Sequence, residues 1–129
     1  MKCRRLAYTV VGDKRFCARC AADELFQAEV RGRGPCVRCH GESGYANQAA
    51  HVIKRGYYAV RWDPRNCHPL CLACHKWETE HPLEGEDFWR AFLGDELYDG
   101  LKFSAKHESP MDPKNVIARL APLDMSKGK

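Results

Sequence analysis

The first third of the chain carries apolar residues at helical spacing. They predict an amphipathic helix over residues 21–31. Asp23 and Glu24 are expected in its first turn, where acidic side chains offset the positive end of the helix dipole. Gly32 and Pro35 follow this segment and are expected to end the helix.

The remainder of the chain alternates short apolar runs with turns. The predicted elements are strands at residues 49–53 and 67–70, a helix at 72–79, two amphipathic helices within 88–101 and a short helix at 116–120. A loop at 54–61 and a turn around Pro64 separate the two strands. This order predicts a small mixed α+β fold.

Length and composition restrict the classes of protein. The chain has 129 residues, of which 44% are hydrophobic and 29% are charged. No stretch approaches the roughly 20 apolar residues of a membrane-spanning helix, so no membrane partner is expected. Residues 1–13 lack the apolar core of a signal peptide, which favours a cytoplasmic location. We divide the chain into a basic, cysteine-containing lead-in at 1–20, a domain at 21–103 and a C-terminal extension at 104–129.

Charge is distributed unevenly. Residues 1–65 hold 13 Lys and Arg against 6 Asp and Glu, whereas residues 66–129 hold 8 against 11. The first half is therefore basic, with a net charge of +7, and the second is acidic, with −3. A basic half favours an anionic partner such as nucleic acid, although an ordinary solvated surface has the same pattern. The sequence does not indicate an oligomeric state.

Eight cysteines provide the strongest chemical signal. Cys36 and Cys39 form one C-x₂-C pair, and Cys71 and Cys74 form another after 31 intervening residues. Four thiolates from two tight turns suit the tetrahedral preference of Zn²⁺, so we predict a structural zinc site. Disulfides are the alternative, and a reducing compartment disfavours them.

The remaining thiols leave several arrangements open. Cys3, Cys17 and Cys20 could join Cys67 or a histidine around a second zinc. The plainer interpretation is that they are reduced and partly buried. A third arrangement pairs Cys17 and Cys20 with the C-x₂-C unit at residues 36–39.

Histidine, asparagine and histidine follow one another between and beside the cysteine pairs. His51, Asn66 and His75 lie in the stretch AHVIKRGYYAVRWDPRNCHPLCLACHKWETEHPLE, which runs from Ala50 to Glu84. This stretch resembles the HNH endonuclease family, and most closely its small phage and prophage members. The resemblance covers roughly residues 21–101. It includes the C-x₂-C pairs at residues 36–39 and 71–74, and the turn with the sequence RWD at residues 61–63.

The resemblance implies a role for each signature residue. His51 would be the general base that deprotonates water, as an imidazole can near neutral pH. Asn66 would hold the hairpin and orient the His51 ring through a side-chain hydrogen bond. His75 would bind a divalent catalytic metal, which could be Mg²⁺, Mn²⁺, Ni²⁺ or Zn²⁺. Arg55 would contact a phosphate or stabilise charge in the transition state.

The sequence also departs from the commoner family pattern. Many members carry a metal ligand at the position of Ala50, and some carry another at the position of Thr79. The candidates to complete the metal site are Glu80, His81, His68 and Asp63. Period-2 alternation would place His68 on the same strand face as Asn66, although a strand histidine bonded to backbone is the plainer interpretation. His75 could instead be a ligand of the zinc beside Cys74.

Together these observations predict a ββα-metal domain of the α+β class, held by a zinc ion on four cysteines and flanked by α-helices. The expected function is metal-dependent hydrolysis of DNA by a phage or prophage endonuclease in the cytoplasm of a bacterial host, with packaging proteins as further partners. The alternative is a zinc-stabilised nucleic-acid-binding module without catalytic activity. A structural adaptor of phage assembly is a third interpretation.

Overall fold

The computed structural model describes residues 9–11 and 14–120. Cys3 and the end of the C-terminal extension lie outside these residues. The elements in chain order are β1 (Thr9–Val11), β2 (Lys14–Phe16), α1 (Ala18–Arg31), β3 (Asn47–His51), a 3₁₀ turn (Pro64–Asn66), β4 (Cys67–Cys71), α2 (Leu72–Glu80), α3 (Pro82–Leu93), α4 (Asp95–His107) and α5 (Pro113–Leu120). The predicted α+β class is confirmed. None of the described helices has the length and apolar character needed to cross a membrane.

Helix α1 begins at Ala18, three residues before the predicted start. Cys17 precedes it, and its Sγ atom accepts a hydrogen bond from the Cys20 N–H at 3.4 Å, so it caps the helix. The first turn therefore holds no acidic residue, and the placement of Asp23 and Glu24 in that turn was wrong. Asp23 lies in the second turn, where its side chain can reach a neighbouring loop.

A β-hairpin leads directly into a helix at the centre of the fold. Strand β3 pairs antiparallel with β4, so that Ala50 lies opposite His68 and His51 lies opposite Cys67. Helix α2 follows β4 without a connecting loop, because Cys71 ends the strand and caps the helix. The predicted strand–strand–helix order is present, and β3 begins and ends two residues earlier than expected.

Two hydrophobic clusters lie on either side of this hairpin. On one side, Phe26 and Val30 of α1 pack with Trp62 and with Val116 and Ile117 of α5. Helix α5 therefore completes the same core as α1. Burial of these apolar side chains is the main stabilising contribution on this side of the hairpin.

The second cluster lies between the hairpin and helices α3 and α4. It includes Leu70 of β4, Trp89 of α3 and Tyr98 of α4, together with three of the cysteines. Helix α4 runs to His107, so it continues past the expected domain boundary into the segment that we assigned to the C-terminal extension. Packing in both clusters holds the hairpin in place. It thereby also fixes the positions of the β3 side chains that lie between α1 and α2.

Candidate metal centre and basic cleft

The four cysteines of the C-x₂-C pairs at residues 36–39 and 71–74 converge at the start of α2. The Sγ atoms of Cys36, Cys39, Cys71 and Cys74 all lie within 4.8 Å of one another. The first pair belongs to a turn that is fixed to β4 by a hydrogen bond of 2.9 Å from the Val37 N–H to the Pro69 carbonyl oxygen. This group could hold a metal such as zinc, and its members are the predicted ligands.

The surroundings of the sulfur atoms suit negatively charged thiolates. The Cys39 N–H donates to the Sγ of Cys36 at 3.4 Å, and the Ser43 hydroxyl donates to the Sγ of Cys71 at 3.1 Å. Hydrogen bonds, chiefly from the Ser43 backbone, lower the pKa of the Cys39 thiol to about 6. Burial alone would raise the pKa of Cys71, but hydrogen bonds led by that of the Ser43 hydroxyl outweigh it and lower that pKa.

Cys74 behaves in the opposite way. Its burial raises the pKa of the thiol to about 12, although the Arg38 guanidinium donates to its Sγ at 3.4 Å. A thiolate at this position therefore requires a bound cation at neutral pH. The Sγ atoms of Cys39 and Cys71 are 3.7 Å apart. This separation fits the edge of about 3.8 Å in a tetrahedron with Zn–S bonds of about 2.3 Å.

The other cysteines do not form a comparable group. Among the described residues, no second set of three or more histidine, cysteine or acidic side chains lies close enough to hold a metal. Cys17 caps α1, as described above, and Cys67 is buried, which raises its pKa to about 12. His75 is also outside the four-cysteine group, so the alternative that it joins this group is not adopted.

A separate cleft of about 570 Å³ lies between α1, β3 and α2. It is lined by Gln27, Arg31, Gln48, Ala49, His51, Lys54, Arg55, His75 and Thr79. The structure thus brings His51, His75 and Arg55 to one cleft, although 23 residues lie between the two histidines in the chain. Three lining side chains are cationic and none is acidic, which makes the cleft suited to an anion.

The His51 ring is fixed in one orientation. Its Nε2 lies 2.9 Å from the carbonyl oxygen of Arg61, and the Phe26 ring packs beside it with a centroid distance of 6.0 Å. A carbonyl oxygen can only accept a hydrogen bond, so Nε2 carries the proton and Nδ1 keeps its lone pair. Burial lowers the pKa of His51 to about 4, and the neutral ring therefore prevails at neutral pH.

Asn66 holds the loop that follows β3. It is fully buried, and its Oδ1 accepts from the Ile53 N–H at 2.8 Å. Its Nδ2 donates to the carbonyl oxygens of Ile53 at 2.9 Å and Val60 at 3.0 Å. The expected side-chain hydrogen bond to His51 is not formed, because all three hydrogen bonds of the Asn66 amide go to the loop backbone. Asn66 does hold the hairpin, and the carbonyl of Arg61 orients the ring instead.

Asp23 is the residue of this site that the sequence did not reveal. Its carboxylate accepts hydrogen bonds from Arg61 Nε at 2.9 Å and Nη2 at 2.6 Å, from Trp62 Nε1 at 2.8 Å, and from Arg55 Nη2 at 3.3 Å. Burial alone would raise its pKa, but the hydrogen bonds of Arg61 and the nearby positive charges keep it below the ordinary value. The only hint in the sequence was the adjacent Arg-Trp pair, which offers three N–H donors to one carboxylate.

His68 points away from the cleft. Its Nε2 donates to the carbonyl oxygen of Arg65 at 2.9 Å, and its ring packs against Trp89 and Phe92 with centroid distances of 5.7 and 5.1 Å. His68 does not share a strand face with Asn66, because the 3₁₀ turn that ends at Asn66 interrupts the extended backbone before β4 begins. The plainer interpretation of His68, a backbone-bonded histidine, describes its contacts.

Three further candidate ligands also have partners elsewhere. Glu80 pairs with Lys76 at 3.6 Å, and the Nδ1 of His81 donates to the Trp77 carbonyl oxygen at 3.0 Å. Asp63 caps the 3₁₀ turn and pairs with the Arg65 guanidinium at 2.8 Å. None of them lines the cleft. We therefore remove Glu80, His81, Asp63 and His68 from the set of ligands that would complete a catalytic metal site.

Comparison with known proteins adds no assignment. The chain matches no protein family, no curated protein and no solved structure. Its function must therefore be inferred from two features: the four-cysteine group and the basic cleft that contains His51 and His75.

Proposed function

We propose that this protein is a metal-dependent endonuclease of the HNH type that hydrolyses DNA phosphodiester bonds. The observation that carries the proposal is the cleft itself. It places two neutral histidines beside Arg31, Lys54 and Arg55, with no acidic side chain in its lining. This combination offers a proton acceptor, a metal ligand and cations for a phosphate in one place.

The four-cysteine group supports a structural zinc ion in this proposal. The donor set is made of sulfur alone, and the backbone and hydroxyl donors around it stabilise thiolates. Such a site closes tetrahedrally and leaves no position open for a substrate. Zinc would join the turn at residues 36–39 to the start of α2, and its binding free energy would contribute to folding.

His51 is the proposed general base. Its Nδ1 lone pair would accept a proton from the attacking water as the water oxygen bonds to phosphorus and the bond from phosphorus to the leaving oxygen breaks. The leaving oxygen departs with the electron pair of that bond and takes a proton from solvent. Once Nδ1 has taken this proton, both ring nitrogens carry one and the ring is an imidazolium. The Arg61 carbonyl oxygen, which accepts from the Nε2–H, would stabilise its positive charge.

His75 is the proposed ligand of the catalytic metal. Its Nδ1 lies 2.6 Å from Oε1 of Gln48, an acceptor, so Nε2 keeps a lone pair. Burial lowers the pKa of His75, which favours the neutral ring that metal binding requires. When bound, a divalent metal supplies positive charge to the scissile phosphate and leaving oxygen. Water and phosphate oxygens would complete its shell, as they commonly do for Mg²⁺.

The three cations of the cleft would bind phosphate groups. Arg55 is half exposed, and its contact with Asp23 through one Nη atom leaves its other N–H groups available. A planar guanidinium can donate two parallel hydrogen bonds to a phosphate, which suits Arg55 to stabilising charge in the transition state.

Cleavage of supercoiled plasmid tests the proposal. Purified protein is incubated with Mg²⁺, Mn²⁺ or Ni²⁺, with EDTA as the metal-free control. We expect nicking in at least one metal and a loss of about 10²–10⁴ in rate for His51→Ala. His107→Ala, an exposed histidine at the end of α4, is the matched control and should cleave at the parent rate. Absence of nicking in every metal would reject the nuclease.

A zinc-stabilised nucleic-acid-binding module is the second candidate. Ala50 occupies a position where many HNH proteins carry a metal ligand, and Thr79 one where some do. The described residues hold no second metal-binding group. DNA binding without nicking would favour this candidate. A phage or prophage origin, packaging proteins as partners and the host cytoplasm remain predictions from the resemblance.

A further inference from the structure

A second cavity of about 290 Å³ adjoins the basic cleft. It is lined by Val52, Ile53, Lys54, Tyr57, Lys102, Ala105 and Lys106. Lys54 lines both spaces, so the second cavity continues the cleft from the end of β3 towards α4. The proposed cleavage chemistry uses only the first of these spaces.

Helix α4 presents one of its faces to this cavity. Lys102, Ala105 and Lys106 are spaced by three and four residues, which places them on the same side of a helix. Opposite them, Val52 and Ile53 follow β3 and form an apolar wall, and the Tyr57 side chain is 47% exposed beside it. The cavity therefore combines apolar side chains and an accessible aromatic ring with cationic groups.

The lysines on α4 carry charge that is not neutralised nearby. Neither Lys102 nor Lys106 forms a salt bridge within the part of the chain that the structure describes. Lys102 Nζ lies 5.6 Å from the centre of the Tyr98 ring, and Lys54 Nζ pairs with the Glu78 carboxylate at 3.1 Å. The cavity lining contains no acidic residue, so the net charge facing it is positive.

We propose that this cavity binds an unpaired nucleotide of the DNA strand that is cut in the cleft. This inference rests on the proposed function, because it extends the path of the same strand. Lys102 and Lys106 would contact the phosphates on either side of the nucleotide, and its base would stack on Tyr57 against the apolar wall. A stacked aromatic ring and a cationic groove bind single strands without selecting a sequence.

An unpaired nucleotide fits these observations better than a duplex. The faces of paired bases are covered by their neighbours in the stack, so a duplex would offer the lysines its phosphates and leave Tyr57 and the apolar wall without a partner. An unpaired base would use both features. The cavity therefore predicts a preference for DNA with a short single-stranded segment next to the cut.

Equilibrium binding of labelled DNA tests the inference separately from cleavage. Binding of a fluorescein-labelled 12-nucleotide single strand and of a blunt duplex is measured by anisotropy at several salt concentrations, in a His51→Ala background that prevents cutting. The variants are Lys102→Gln with Lys106→Gln, and Tyr57→Ala. Lys76→Gln, an exposed lysine outside both cavities, is the matched control. Circular dichroism and zinc content check the fold of each variant.

The expected results differ between the two variants. Loss of two phosphate contacts should reduce the slope of log K against log salt for the single strand by about 1.4, at about 0.7 per contact. Tyr57→Ala should weaken single-strand binding roughly 5- to 150-fold and leave duplex binding nearly unchanged. Affinities and slopes equal to those of Lys76→Gln would overturn the inference while leaving the nuclease proposal in place. A parent protein that binds neither DNA would overturn both.

Discussion

Asp23 and Arg61 form a bidentate ion pair across 38 residues of sequence, with hydrogen bonds of 2.9 and 2.6 Å from Nε and Nη2. The Arg61 guanidinium also donates to the Arg55 carbonyl oxygen at 3.0 Å, and the Arg61 carbonyl accepts from His51. The carboxylate of one helix thereby fixes the loop segment that orients the proposed general base. Asp23 does not itself line the cleft, but it accepts a hydrogen bond from Arg55, which does. We therefore expect Asp23 to position other residues.

Replacing Asp23 with Asn should separate this positioning role from general stability. The amide cannot accept all the hydrogen bonds of Arg61, Trp62 and Arg55, so we expect a loss of about 1–3 kcal/mol in the free energy of unfolding. Cleavage should fall by roughly 10- to 100-fold, since the carbonyl that orients His51 becomes less fixed. Urea unfolding and single-turnover cleavage measure the two effects.

Glu24→Gln is the matched control for that variant. It removes the same charge from the adjacent, exposed position of α1. This control should keep the parent stability and rate. If Asp23→Asn loses stability but cleaves at the parent rate under folding conditions, the ion pair would be structural alone.

The proposed zinc ion gives a second prediction. Cys71→Ser should remove one equivalent of tightly bound zinc and unfold the domain, because Cys71 is both a sulfur donor and the cap of α2. Cys17→Ser should retain the zinc, since Cys17 lies outside the four-cysteine group and serine also caps helices. Elemental analysis and thermal melting measure both variants. Zinc loss from Cys17→Ser would instead support the alternative pairing of the C-x₂-C units.

The two cleft histidines should respond differently to added metal. His51→Ala removes the proposed proton acceptor, so its loss of cleavage should persist at every metal concentration. His75→Ala removes the proposed metal ligand, so its activity should recover in part when Mg²⁺ or Mn²⁺ is raised. Titration of each variant with metal in the plasmid assay distinguishes these roles. Equal recovery of both variants would contradict the assignment of base and ligand.

His51 should also make stability depend on pH. Its pKa falls from the usual 6.5 to about 4 in the folded protein, so the unfolded chain takes up a proton first as the pH falls. The contribution of the neutral buried ring is therefore complete above pH 6.5 and is lost as the pH falls towards 4. Between pH 6.5 and 5.5, the parent should lose about 1 kcal/mol more than His51→Gln in the free energy of unfolding.

Urea unfolding at the two pH values measures this difference, and zinc analysis at each pH shows that the metal content is unchanged. Because the other histidines are present in both proteins, their contribution cancels in the comparison. Parallel pH dependence of the parent and His51→Gln would show that the His51 ring is solvated in the folded state.

The four-cysteine group could be predicted from spacing, because each C-x₂-C pair needs only one tight turn. The structure places all four sulfur atoms together. The pairing of His51 with His75 came from the family resemblance and not from spacing. A hairpin that leads into a helix brings both histidines to one cleft.

Long-range contacts could not be read in the same way. Asp23 meets Arg61 because α1 packs across the hairpin, and no local pattern encodes that approach. His68 was misplaced for a related reason. Strand alternation predicts a face only within continuous extended backbone, and the 3₁₀ turn before β4 resets it. The earlier start of α1 reflects a cysteine cap, which is a weaker sequence signal than serine or aspartate.

The packing of α5 on α1 couples the far end of the described chain to the wall behind the proposed base. Val116 and Ile117 cover the cluster that contains Phe26, and the Phe26 ring lies against His51. Arg119 also donates to the Trp62 carbonyl oxygen at 3.4 Å, beside the loop that Asp23 holds. Local unfolding of α5 would expose that wall to water and loosen the imidazole. Anything that binds or displaces α5 would therefore act on the cleft from a distance, without touching its lining.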